Sequence, residues 1–165
     1  MKVLGKDNSY KFMLLVVRRS FVVCFVLLAL LTGPYGHADD GALAIISNSK
    51  QGGAPAEMSI SELTTVFKGE RQRWSDGTKV VIALMKTTTT SGSTTAQKLY
   101  GMSGQELNRF WLGLVFQGKA KAPKFFSSES DLKDYVTATP GAIGVIGLTS
   151  LGDGKSILID GNKSF

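Results

Sequence analysis

Lys79-Val-Val-Ile-Ala-Leu-Met85, then Lys86-Thr-Thr-Thr-Thr-Ser-Gly-Ser-Thr-Thr95, then Ala96-Gln-Lys-Leu-Tyr100 is the passage that decides the fold. Its first part is a continuous apolar run of the kind a strand buried on both faces requires. A polar loop from Thr87 to Ser93 follows, and Thr94 to Tyr100 has the composition of a short helix. Strand, turn and helix in that order predict an α/β layer rather than an all-helical or all-strand domain.

The same alternation extends in both directions. Upstream, Leu43-Ala-Ile-Ile46 is a short apolar run, and Ser47 to Pro55 is a polar loop. Ser59-Ile-Ser-Glu62 has the form of a capping box, with Leu63, Val66 and Phe67 on one helical face and Gly69 as a stop. Asp76-Gly77 marks a turn. Downstream, Ser103-Gly-Gln-Glu106 is a second capping box, and Leu107, Phe110, Trp111, Leu114 and Val115 recur at the spacing of a packed helix. Ser128-Glu-Ser-Asp131 opens a third helix with Leu132, Tyr135 and Val136, ended by Thr139-Pro140-Gly141. Ala142 to Ile146 and Ser156 to Ile159 read as the last strands, before a turn at Asp160-Gly161. The expectation is one α/β domain with a mainly parallel or mixed sheet flanked by helices.

Residues 1–38 read as an export leader. Arg18-Arg19 ends a basic stretch, Phe21 to Leu31 is apolar, and Gly36-His37-Ala38 offers a cleavage site between Ala38 and Asp39. Eleven apolar residues are about half of the ~20 needed to span a bilayer, so cleavage is favoured over anchoring, and membrane contact is expected only through an uncleaved leader. The twin arginine resembles a dedicated export motif, but an ordinary signal also carries two basic residues, and Met13 is an alternative start. The expected mature domain is 39–165, periplasmic or secreted. It carries 14 basic and 12 acidic residues, a net charge of +2 that gives no reason to expect nucleic acid.

Cys24 and His37 are the sole cysteine and histidine, and both lie in the leader. The mature part therefore has no disulfide, no Cys/His metal site, no cysteine nucleophile and no histidine-based triad. A hydrolase would need Ser91 or Ser93 activated by Lys86, so the reading is a non-enzyme with no cofactor and no metal. Chemistry concentrates in Thr87–Thr95, which holds eight hydroxyl residues and one glycine at a strand-to-helix turn. Free amides and the positive helix end suit a small anion there. Lys86, Thr90, Ser91, Gly92, Ser93 and Thr94 are the candidate ligand-binding residues, with Gly92 expected to let the backbone approach the ligand. The plain alternative is N-capping within a flexible loop. Elsewhere, Asp131 with Asp134, Glu70 with Arg71 and Arg73, and the Lys119, Lys121 and Lys124 loop read as solvated faces, the arginines also as an alternative anion clamp. Trp111 fits the buried stripe of its helix, and Trp74 a loop at the core edge.

Several of these pieces, in order, resemble the phosphate-type substrate-binding proteins of ABC transporters. Ser61 to Gly69 followed by Arg73-Trp-Ser-Asp-Gly77 resembles the family's helix, Phe-x-Gly and Trp-x-Asp-Gly passage; Ser91-Gly-Ser-Thr94 resembles its Ser-Gly-Thr turn; Thr139-Pro-Gly-Ala-Ile-Gly-Val145 resembles its Pro-Gly-Ala-Ile-Gly-Tyr strand. The resemblance runs from about Leu43 to Asp160 and implies a type 2 periplasmic-binding-protein lobe. It also implies phosphate held by Ser91, Ser93 and Thr94, and an ABC transporter or other envelope protein as partner. Two departures stand out. Thr87 occupies the place of the family's arginine, with Lys86 adjacent, and 127 residues are about half of a two-lobed binder. The resemblance is thus to a short, single-lobe relative, with an envelope interaction module that has lost its solute as the alternative.

Overall fold

The computed structural model describes residues 41–48, 53–152 and 154–165. The expected leader and the cleavage site read from the sequence lie outside the described residues, as does part of the polar loop after Asn48. Elements run in the order β1 (Leu43–Ser47), β2 (Glu57–Met58), α1 (Ile60–Phe67), β3 (Val81–Met85), α2 (Thr90–Tyr100), α3 (Gly104–Phe116), β4 (Lys124–Phe126), α4 (Glu129–Ala138), β5 (Ala142–Gly147), α5 (Leu148–Leu151) and β6 (Leu158–Ile159).

Four strands form a mixed sheet in the order β1-β5-β3-β4, with β3 parallel to both neighbours and β1 antiparallel to β5. The alternation of side chains fills two cores, because successive residues of a strand point to opposite faces. Leu43, Ile45, Ile82, Leu84, Ile143 and Val145 meet the helices α1, α2 and α3 on one face. Ala44, Ile46, Ala83, Met85, Ala142 and Ile146 meet α4 and α5 on the other. A small parallel pair, β2 with β6, closes the first core through Met58 and Ile159.

Local chemistry sets the helix boundaries. Both predicted capping boxes form: Ser59 with Glu62, and Ser103 with Glu106, each side chain serving the other residue's amide. Ser128 caps α4 by accepting from the Asp131 amide. Trp74 is buried rather than perched at the core edge, and its Nε1–H donates to the Gly141 carbonyl at 2.9 Å. Gly141 itself has φ of +72°, a conformation open to glycine at little cost.

Four further expectations need correction. The helix after the threonine run begins at Thr90, not Thr94, because Thr89 caps it; the Gly92 amide donates to Thr89 Oγ1. Lys124 belongs to strand β4 rather than to a basic loop, since pairing with β3 supplies order that three residues cannot generate alone. The last strand shortens to Leu158–Ile159, with Ile157 reduced to a single bridge to Ile45. In α3 only Leu107 and Trp111 are fully buried, while Val115 is exposed.

Candidate functional site

The strands β3, β4 and β5 are parallel, so their carboxyl ends, Met85, Phe126 and Gly147, share one edge of the sheet. The helix following β3 packs on one face, whereas those following β4 and β5 pack on the other. Chains departing to opposite faces leave a crevice at that edge. There an open concavity of about 510 Å³ is lined by Thr89, Thr90, Ser91, Ser127, Glu129, Gly147, Thr149 and Ser150, with Ala42 and Met85 beneath.

Helices α2, α4 and α5 all begin at this edge. The four leading amides of a helix have no intrahelical acceptor. At α2 the Thr89 amide donates to the Lys86 carbonyl at 2.9 Å and the Gly92 amide to Thr89 Oγ1 at 3.1 Å. That leaves the amides of Thr90 and Ser91, two residues of the concavity wall, with no acceptor inside the helix. The Thr95 hydroxyl turns back to the Ser91 carbonyl at 2.7 Å and is lost to the site.

Glu129 lies among these donors. Its Oε1 accepts from Ser91 Oγ and from the Gly147 amide, the latter at 2.9 Å. Burial would raise its pKa, but hydrogen bonds from Ser150, Ser91 and the Gly147 amide, together with the charge of Lys133, hold it below the usual value of 4.5. Glu129 is therefore a carboxylate at neutral pH. Lys133 reaches the same neighbourhood from α4, donating through Nζ to the Ser150 carbonyl at 2.8 Å.

Of the sequence candidates, the fold brings Thr90 and Ser91 into the concavity; Lys86, Gly92, Ser93 and Thr94 do not line it. Gly92 is buried against the chain itself: a β-carbon there would stand 2.0 Å from the Lys86 carbonyl oxygen. Its smallness admits backbone to backbone, not ligand to backbone. The Lys86 side chain is exposed. Sequence reasoning missed Ser127, Glu129, Thr149 and Ser150. Glu129 did have a sequence role, as part of the α4 start, but nothing local pairs it with Ser91, 38 positions away.

Solved structures share this fold over part of their length. An ABC-type phosphate transport receptor from Vibrio cholerae superposes with a TM-score of 0.57 at 17% identity, over 75% of this chain and 48% of that one. PstS from Borrelia burgdorferi superposes with a TM-score of 0.55 at 17% identity, over 73% and 48%. This is a periplasmic-binding-protein fold. The binding-protein-like domain spans about half the length of these structures, in keeping with a single lobe. No protein-family model matches the sequence, and no curated protein is significantly similar to it. Among the described residues no helix is long and apolar enough to cross a membrane, and no cluster of metal-ligating side chains forms.

Proposed function

We propose that the domain binds a small protonated oxyanion of the phosphate class at the carboxyl edge of its sheet, as an exported lobe serving an ABC uptake system. The observation that carries this reading is the meeting of two uncommitted helix-start amides, Thr90 and Ser91, with the hydroxyl-bearing wall of one concavity. Glu129 sharpens it. An ionised carboxylate repels a fully deprotonated oxyanion but accepts a hydrogen bond from one that keeps a hydroxyl. Monobasic phosphate has such a hydroxyl, and sulfate at neutral pH does not. The fold shared with a phosphate transport receptor points the same way.

On this reading Thr90 and Ser91 donate to the ligand together with Ser127 and Thr149, while Glu129 takes the ligand's own proton donor. Ser93, Thr94 and Lys86, standing outside the wall, support the helix start or the surrounding field. An interaction module would instead expose a continuous apolar patch at this edge, whereas six of the ten residues lining it carry hydroxyls. Calorimetry with phosphate and with sulfate is the test. Heat with phosphate, little with sulfate, and a loss of that preference in Glu129→Gln are expected; no heat with either at millimolar ligand overturns the proposal.

A further inference from the structure

Helix α3 has two apolar faces. Leu107, Trp111 and Leu114 turn toward the core. Leu112, Val115 and Phe116 turn outward, 57%, 41% and 82% exposed. They fall at i, i+3 and i+4, and Arg109 stands one turn before Leu112 on the same side. Just beyond the helix come Lys119 and Lys121, both exposed. From Leu107 to Ser128 the chain contains no acidic residue. The last acid before that stretch, Glu106, is held on the Ser103 amide by the capping box at 2.7 Å, and its charge offsets part of that of Arg109, leaving Lys119 and Lys121 as the uncompensated cations.

The charge continues into the neighbouring surface. Lys121 shares a groove of about 350 Å³ with Arg71, Arg73 and Lys79, next to the amino end of β3. Gln72 fastens the two sides of this region together, donating through Nε2 to the Lys119 carbonyl at 2.6 Å. Glu70, exposed in the same loop, is the acid nearest in sequence to those arginines.

We infer that the outward face of α3 docks on an anionic lipid bilayer, with Leu112, Val115 and Phe116 entering the headgroup boundary and Arg109, Lys119 and Lys121 meeting lipid phosphates. Exposed apolar side chains rimmed by cations, on a segment with no acid from Leu107 to Ser128, are the chemistry of an interfacial helix. Charge complementarity selects the occupant: a second copy of the chain would set cation against cation across this face. The convex outside of a helix also offers protruding side chains rather than a groove for a partner to fill. Membrane contact is thereby extended beyond the leader, to which sequence reasoning confined it.

The test places a reporter at the tip of the patch in the full-length chain, so that contact through residues 1–38 does not register. Phe116→Trp adds an exposed fluorophore to two native tryptophans that are buried in the core. The expected result with brominated phosphatidylglycerol vesicles is a blue shift and quenching at position 116, weak on phosphatidylcholine alone. Lys119→Glu combined with Lys121→Glu should lower vesicle affinity about tenfold or more. Vesicle binding without quenching at 116 overturns the proposal, because another segment then makes the contact. A blue shift that grows with protein concentration in the absence of lipid also overturns it, in favour of self-association.

Discussion

Gly92 lies directly against Lys86: the glycine's missing β-carbon would fall 2.0 Å from the Lys86 carbonyl oxygen and 2.8 Å from that of Met85. The first turn of α2 therefore rests on the end of β3 with no room for a side chain. That contact fixes the start of α2, whose Thr90 and Ser91 line the concavity.

Gly92→Ala should destabilise the domain by about 1–3 kcal/mol, since the obstacle is backbone and cannot rotate aside. Urea unfolding of the variant and the parent measures this. A change below about 0.5 kcal/mol, the range of neutral surface substitutions, would show that the close approach is not there.

Four consecutive threonines precede Ser91, yet only Thr89 has the capping geometry, with its oxygen accepting from the Gly92 amide. Thr89→Ala should cost about 1 kcal/mol, whereas Thr88→Ala, at an exposed position, should stay within about 0.5 kcal/mol. Equal effects in thermal unfolding would refute the assignment of the cap.

The Glu129 carboxyl is held below its usual pKa of 4.5 in the folded state. A depressed folded pKa means the unfolded chain takes up the proton first as pH falls. The stabilisation is thus complete above about pH 4.5 and disappears as pH drops through the lowered folded value. Because the group is only partly buried and solvent screens it, the effect should be on the order of 1 kcal/mol or less. Stability measured from pH 7 to pH 3 should fall less steeply in Glu129→Gln than in the parent. Parallel curves would remove the depressed pKa from the account.

Trp74→Phe keeps an aromatic ring but deletes the Nε1–H donor to the Gly141 carbonyl. The Gly141 carbonyl keeps the Val81 amide as a donor at 3.1 Å, so the loss is that of one hydrogen bond, about 0.5–1.5 kcal/mol. Chemical denaturation should register a loss of that size, with the fold retained by circular dichroism; no loss would mean that water replaces the indole.

The elements most legible in the sequence were those specified by neighbours a few residues apart. Ser59 with Glu62 and Ser103 with Glu106 announce helix starts because capping is chemistry over three positions. Leu43 to Ile46 and Val81 to Met85 announce buried strands because unbroken apolar runs have no stable exposed conformation. The strands β2 and β4, two and three residues long, carry no such signal. They exist because β6 and β3 pair with them. The α2 start was misplaced by four residues because any of several hydroxyls in the run could cap, and backbone packing on β3 chose Thr89.

Local chemistry along the chain determined the α/β class, the caps and the hydroxyl-rich turn at the end of β3. Tertiary structure alone decided which hydroxyls share a wall, that Gly92 faces the strand and not the crevice, and that Glu129 stands among the donors. The reason is distance along the chain. Ser91, Glu129 and Gly147 come from the ends of three different strands, and only the parallel pairing of those strands delivers them to one edge.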